Sequence, residues 1–160
     1  MERGRPGVRR AAGRALVYAS AAMTENEREL LEANGAFYAA FVRRDLSAME
    51  ALWAHSAPVA CTHPGWPTLR GRARVLESLR AIFEGGGAPA SLACVGATPH
   101  LLGADAAFVV CNERVPGGEL AATNVFVREG GRYRLVHHQA SPIVREQQQK
   151  PAPRDPTSMN

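Results

Sequence analysis

Two short segments of the sequence carry histidines that could exchange protons near neutral pH. Residues 58–66 place His63 before a Pro-Gly-Trp turn, and residues 132–142 contain the adjacent His137 and His138. An imidazole with an ordinary pKa of about 6.5 can act as a general acid or a general base. Both segments are short and rich in β-branched and aromatic residues, which predicts strands. We therefore expect them to form two polar walls of one small apolar pocket.

Only one histidine of the adjacent pair can face such a pocket, because side chains alternate across a strand. Tyr133 and Leu135 share a face with His137, whereas Val136 shares a face with His138. The first of these faces is the more apolar. The alternation therefore predicts that His137 points inward and contacts the ligand.

Polar side chains also interrupt apolar patterns elsewhere. Asn112 and Asn124 lie in phase with apolar strand residues, and Asn34 and Tyr38 lie on the apolar stripe of a predicted helix. A polar group in such a position needs a hydrogen-bond partner. One interpretation is ligand binding, with Asn124 or Tyr38 stabilising the oxygen of a developing enolate. The alternative is that these side chains bond to neighbouring protein groups.

His63 and the two tryptophans each have a functional and a structural interpretation. His63 could be the general base, or it could cap the turn and stack on Trp66. Trp53 and Trp66 could contact the ligand, or they could pack in the core and over its opening. A metal site built from His63, His137 and Cys61 would lack the spacing that pre-forms such sites, so we predict neither metal nor cofactor.

The order of elements predicts an α+β domain. A capping box at residues 24–27 begins a helix that runs to about residue 44, and a second, shorter helix spans about residues 47–55. A short strand follows at 59–63, and Gly71 begins a third helix that ends at the glycines 85–87. Four strands separated by hairpin signals complete the chain, at about 91–102, 106–116, 119–129 and 132–141.

The net charge of +4 belongs to one end of the chain. Residues 1–22 hold five arginines and one acid, whereas the remaining 14 basic and 14 acidic residues cancel. We predict disordered tails at 1–23 and 146–160 around a domain at 24–145, with Met23 as an alternative start of the functional chain. A neutral body argues against nucleic-acid binding.

The three cysteines and the hydropathy of the sequence indicate the cellular compartment of the protein. Cys61, Cys94 and Cys111 lie in apolar runs without the spacing of a disulfide framework, which indicates reduced, buried thiols. No run approaches the roughly 20 apolar residues that a membrane span requires. We expect a cytoplasmic protein that does not bind membranes.

The sequence resembles the nuclear transport factor 2-like superfamily, and within it the SnoaL-like domains. The resemblance covers nearly all of residues 24–145, and the phrases that carry it are Phe37-Tyr38, Leu52-Trp53-Ala54, His63-Pro64-Gly65-Trp66, Gly71-Arg72 and Val136-His137-His138-Gln139-Ala140-Ser141. It implies a cone-shaped fold in which a curved antiparallel sheet wraps around the first helix, and a homodimer through the outer face of the sheet. That superfamily includes ketosteroid isomerase, polyketide cyclases, dehydratases and the association domain of calmodulin-dependent kinase, so the fold alone does not define the function.

The resemblance also places individual residues. The position of the ketosteroid isomerase base, an aspartate before a proline, corresponds to His63. The position of its helix-one tyrosine falls on Phe37, next to Tyr38, and the position of its second aspartate falls near Asn124. Two functions remain open. One is a cofactor-independent isomerase, cyclase or dehydratase that acts on a small apolar ligand, and the other is a non-catalytic ligand-binding or dimerisation module, which the missing family acid favours.

Overall fold

Three helices precede the main strands, as the sequence predicts. The computed structural model describes residues 22–89 and 91–144. The helices are α1 (Glu25–Arg43), α2 (Leu46–Leu52) and α3 (Arg72–Glu84). The predicted tails at 1–23 and 146–160 lie almost wholly outside the described residues.

The first helix begins at the predicted capping box. The Thr24 hydroxyl accepts a hydrogen bond from the Glu27 backbone at 3.2 Å, and the Glu27 carboxylate accepts one from the Thr24 backbone at 2.7 Å. These bonds satisfy N–H groups that have no partner inside the helix. Arg44 ends the helix in a left-handed conformation with φ of 55°.

The second helix begins earlier than the sequence pattern predicts. Its N-cap is Asp45, whose carboxylate accepts a hydrogen bond from the Ala48 backbone at 2.9 Å, and not Ser47. An aspartate caps a helix N-terminus as well as a serine does. Asp45 lies three residues before Ala48, so its carboxylate reaches the Ala48 N–H. The helix also ends at Leu52, before the predicted residue 55, because Trp53 leaves it to form a bridge with Leu135.

Within the described residues the sheet has six strands, one more than the sequence predicts. They are β1 (Ala60–Thr62), β2 (Leu69–Arg70), β3 (Ala93–Leu101), β4 (Ala106–Val115), β5 (Gly118–Glu129) and β6 (Arg132–Pro142). Their order is β2-β1-β6-β5-β4-β3, with β1 parallel to β6 and all other neighbours antiparallel. The prediction missed β2 because two residues are too few to show an alternating pattern. The four-stranded meander at the end of the chain is confirmed.

A β-bulge in the last strand changes which of its side chains face inward. Val125 pairs with His137, but the next residue, Phe126, pairs with Leu135, so Val136 is left as the extra residue. A bulge of one residue reverses the alternation of the side chains that follow it. Leu135 is buried before the bulge, and after it the buried residue is His138.

The inner face of the sheet packs against the helices around a continuous apolar core. The fully buried side chains with the largest volume are Trp53, Phe126, Leu30, Met49, Leu79 and Leu135. Among residues 22–89 and 91–144, no helix is both long enough and apolar enough to cross a membrane.

One carboxylate holds the turn that leads into β1. The oxygens of Glu129 accept hydrogen bonds from the backbone of His55 at 2.9 Å, Ser56 at 3.0 Å and Ala57 at 2.8 Å. These bonds stabilise the ionised carboxylate and lower the pKa of Glu129. The end of β5 thereby fixes the segment from which the following strand starts.

Candidate functional site

A cavity of about 290 Å³ opens between the helices and the inner face of the sheet. Its polar side chains are His63, Glu113 and His138, and the described residues that line it include no lysine or arginine. The remaining wall is mostly apolar and consists of Phe37, Phe41, Pro64, Trp66, Ile82, Gly87, Pro89, Leu92, Val115 and Leu120. An apolar pocket with a few converging polar groups is the usual form of a small-molecule site.

The sequence predicted His63 at this cavity, and the structure determines its tautomer. The Nε2 atom of His63 lies 2.9 Å from the Ser78 hydroxyl oxygen, and that hydroxyl donates its own proton to the carbonyl of Val75 at 2.7 Å. Ser78 must therefore accept a hydrogen bond from His63, so Nε2 carries the proton. Nδ1 of His63 is left with a lone pair.

Among the described residues, the Cys61 thiol is the group that reaches this lone pair, and a thiol is only a weak donor. The Cys61 sulfur lies 3.8 Å from Nδ1 and 3.9 Å from Nε2, so it is nearly equidistant from the two nitrogens. His63 is only 6% exposed, and this burial lowers its pKa. A buried, neutral imidazole thus presents a hydrogen-bond acceptor at the cavity.

Trp66 closes the rim beside His63. The two rings are edge to face with centroids 5.3 Å apart, and the Trp66 backbone donates to the His63 carbonyl at 2.9 Å. Trp66 is 45% exposed although it lines the cavity. The predicted contact between the two residues is therefore present, but the ring N–H of His63 bonds Ser78 and does not cap the turn.

The inward histidine of the last strand is His138, so the prediction of His137 was wrong. His138 is 6% exposed and lines the cavity, whereas Nδ1 of His137 lies 3.1 Å from the Ala60 carbonyl at the edge of β6. The bulge at Val136 is the physical reason, because it reverses the alternation between Leu135 and the histidines. No simple sequence pattern marks that bulge.

Glu113 is the polar residue of the cavity that the sequence analysis missed. It is only 4% exposed, its Oε1 accepts a hydrogen bond from the Tyr38 hydroxyl at 2.8 Å, and the same oxygen lies 3.8 Å from Nε2 of His138. Burial raises the pKa of Glu113, and the bond from Tyr38 offsets part of that rise. Glu113 lies in phase with Val109 and Cys111 on β4, and this alternation is the sequence signal that places it on the inner face.

A hydrogen-bond network beneath the cavity sets the tautomer of His138. The Asn124 amide nitrogen donates to the Asn34 oxygen at 2.7 Å and to the Tyr38 oxygen at 3.1 Å. The remaining Asn124 oxygen can only accept, and Nδ1 of His138 lies 2.6 Å from it. His138 is therefore protonated at Nδ1 and has its lone pair at Nε2.

The environment of His138 keeps its ring neutral. Burial, followed by the neighbouring His63 and His137, lowers the pKa of His138 to about 3. The nearby Glu113 does not raise the pKa of His138 again, because burial raises the pKa of Glu113 and favours its uncharged carboxyl. The cavity thus holds two neutral imidazoles and one carboxyl group.

Several predicted site residues lie outside the cavity wall. Asn124, Asn34 and Tyr38 form the supporting network, and Trp53 is fully buried in the core with its ring edge to face with Phe37. Asn112 is exposed on the outer face of the sheet, so the prediction of an inward ligand contact was wrong. Asn112 lies in phase with Val110. The residues of β4 that face inward are the alternate set, namely Ala107, Val109, Cys111 and Glu113.

The comparisons with known proteins agree with this architecture. Residues 30–145 match the sequence profile of the SnoaL-like domain. The chain belongs to the SnoaL-like domain family. A solved structure named as a candidate dehydratase of the NTF2-like family from Streptomyces avermitilis is similar to this SnoaL-like chain, with 29% identity and a TM-score of 0.65 over 74% of this chain and 96% of that chain.

Two further relatives differ in their named roles. A candidate association domain of calcium/calmodulin-dependent protein kinase type II from Thiobacillus denitrificans is 35% identical, with a TM-score of 0.59 over 70% of this chain and 93% of that chain. The F-box protein SKIP8 of Arabidopsis thaliana is 30% identical over 124 residues, which are 76% of this chain and 53% of that protein. The chain therefore spans about half the length of this curated relative.

Proposed function

We propose that this SnoaL-like protein binds a small, largely apolar ligand in its cavity and catalyses proton transfer on it without a cofactor. The observation that carries the proposal is the convergence of His63, His138 and Glu113 on one apolar cavity. Isomerisation, cyclisation and dehydration are the reaction types that such a proton-transfer site serves.

His63 is the proposed general base and Glu113 the proposed general acid. Burial lowers the pKa of His63 and raises that of Glu113, so both changes favour the neutral form of each group. A neutral imidazole can take a proton from a carbon next to a carbonyl while a neutral carboxyl gives its proton to the carbonyl oxygen. The products of that step are an enol, an imidazolium and a carboxylate, and the reverse transfers restore the site.

The network beneath the cavity has a supporting role in this proposal. Tyr38 holds the Glu113 carboxyl through the 2.8 Å hydrogen bond, and Asn124 holds His138 through the 2.6 Å hydrogen bond. Tyr38 and Asn124 are positioning residues, because neither lines the cavity. His138 is the proposed hydrogen-bond partner of the enol oxygen.

The similar protein from Streptomyces avermitilis supports an activity of the dehydratase type, since it is named as a candidate dehydratase and shares 29% identity. The three free cysteines fit a reducing, cytoplasmic setting. A non-catalytic association module is the second candidate, and it is supported by the 35% identity to a candidate kinase association domain. That module would form a homodimer through the outer face of β3 to β6.

Deuterium exchange tests the catalytic proposal without knowledge of the natural substrate. The protein is incubated in deuterium oxide with β-tetralone, a neutral bicyclic ketone, and proton NMR follows the loss of signal from the carbon beside the carbonyl. We expect the protein to accelerate this loss above the buffer rate. Exchange at the buffer rate, for a protein that binds β-naphthol, would support the association module instead.

A further inference from the structure

The hydrogen-bonding capacity of the cavity can be counted atom by atom. Nε2 of His63 donates to Ser78, and Nδ1 of His138 donates to Asn124, so each ring has only its second nitrogen left to bond a ligand. Both of those nitrogens carry lone pairs and can only accept. The tautomers are fixed by the partners behind the rings, because Ser78 already donates to Val75 and the Asn124 nitrogen already has two acceptors.

An unmet acceptor in a buried site lowers affinity. A bound ligand that brings no donor would leave Nε2 of His138 without a hydrogen-bond partner and Nδ1 of His63 with only the weak Cys61 thiol, which is costly in an apolar surrounding. Oε1 of Glu113 lies 3.8 Å from Nε2 of His138, a distance that is too long for a hydrogen bond. A protonated Glu113 can donate to an oxygen of any ligand, so it does not separate hydroxyls from ethers or ketones. Only a hydroxyl on the ligand can donate to the ring nitrogens.

The charge of the site limits the ligand further. The described residues that line the cavity include a carboxyl group, Glu113, and no lysine or arginine. A ligand carboxylate or phosphate would be buried next to this carboxyl and two acceptor nitrogens with no cation to pair it. Anionic ligands are thus disfavoured, because no cation pairs their charge and the two ring nitrogens cannot donate to them.

From these observations we infer that the cavity selects neutral apolar molecules that carry a hydroxyl donor, such as phenols or enols, over ethers, ketones and carboxylates of the same shape. This inference rests on the proposed site but does not require the proposed reaction. If the reaction also occurs, the same rule favours the enol over the ketone from which it forms, and this is the direction in which a catalyst must discriminate.

A matched set of ligands tests the inference. Quenching of Trp66 fluorescence, or calorimetry, measures the affinities of β-naphthol, β-methoxynaphthalene and β-naphthoate for the full chain. We expect β-naphthol to bind about tenfold or more tightly than the methyl ether, because only the naphthol supplies a donor, and β-naphthoate to bind more weakly than either. Equal affinity for the naphthol and the ether would overturn the inference.

One variant separates the tautomer argument from simple shape. Ser78→Ala removes the acceptor that holds the proton on Nε2 of His63. The ring can then carry its proton on Nδ1 and donate it in a hydrogen bond to an ether oxygen. The preference for naphthol over ether should shrink in the variant, and the nitrogen NMR shifts of His63 should move from the Nε2–H pattern of the wild type toward a tautomer mixture. An unchanged preference, or a wild type already protonated at Nδ1, would contradict the inference.

The affinity test of the ligand class and the deuterium exchange test of the reaction can fail independently. Absence of deuterium exchange together with the expected affinity order would reject the proposed reaction and retain the ligand class. Exchange together with equal affinities would retain the reaction and reject the ligand class.

Discussion

The hydroxyl of Tyr38 donates to the Glu113 carboxyl at 2.8 Å, although the two residues are separated by 75 positions. The bond links the first helix to the fourth strand at the floor of the cavity. It also places a buried acid beside His138, whose Nε2 lies 3.8 Å from the same carboxyl oxygen. The arrangement of the polar groups in the cavity thus includes a contact between distant parts of the chain.

Removal of the Tyr38 hydroxyl should therefore destabilise the fold. Tyr38→Phe leaves the Glu113 carboxyl and the Asn124 amide short of a partner, and we expect a loss of about 1–3 kcal/mol in the free energy of unfolding, measured by urea denaturation. A double-mutant cycle with Glu113→Ala isolates the contact, because each single change removes the hydrogen bond between the two side chains. Additive effects of the two changes would contradict a direct interaction.

The two adjacent histidines should respond differently to substitution. His138→Ala leaves the buried Asn124 oxygen without a donor and should cost about 1–3 kcal/mol, with a change in β-naphthol affinity. His137→Ala removes one half-buried hydrogen bond to Ala60 and should cost about 1 kcal/mol or less, with the affinity unchanged. Chemical denaturation and calorimetry on both variants measure this difference. A loss of affinity in His137→Ala alone would show that the bulge at Val136 is misplaced.

These histidines also show how far the sequence could predict the structure. The capping box at Thr24, the helix after Gly71 and the meander depend on local patterns, and the structure confirms them. The choice between His137 and His138 depends on a bulge of one residue, which depends on pairing with β5 and leaves no local signal. Local alternation fails wherever the register shifts.

The candidate site was only partly predictable for a related reason. His63 could be proposed because its neighbours Pro64 and Trp66 mark a turn after a strand. Glu113 alternates in phase with Cys111, but a carboxylate is rarely fully buried, so residue type alone places it on the solvent side. The roles of Asn34 and Asn124 depend on contacts between α1 and β5, which the sequence alone does not specify.

Loss of the Glu129 carboxylate should loosen the turn before β1. Glu129→Gln removes the charge that accepts three backbone hydrogen bonds, so we expect a lower urea midpoint near neutral pH, with Glu32→Gln on the exposed face of α1 as a control. The pKa of Glu129 is lowered in the folded state, so its stabilisation is present above its ordinary pKa of 4.5. This stabilisation is lost as the pH falls through the folded pKa. A difference between wild type and variant that persists unchanged in acid would contradict this assignment.

The pH dependence of ketone exchange should be bell-shaped. The proposed mechanism requires neutral His63, whose pKa is lowered from 6.5, and protonated Glu113, whose pKa is raised from 4.5. The rate should therefore fall at low pH as His63 gains a proton and at high pH as Glu113 loses one. In Glu113→Gln we expect a lower rate without the alkaline fall. An alkaline fall that remains in this variant would exclude Glu113 as the acid.

The deuterium exchange of β-tetralone, measured with the wild type and with His63→Gln, tests whether His63 is the base. The affinity for β-naphthol is measured on the same samples. Glutamine can accept a hydrogen bond but cannot carry a proton through the cycle, so we expect the variant to exchange at the buffer rate. Its affinity should stay within a few fold of the wild type, and its fold should be intact by circular dichroism. Exchange at the wild-type rate in a folded His63→Gln variant would show that His63 is not the base.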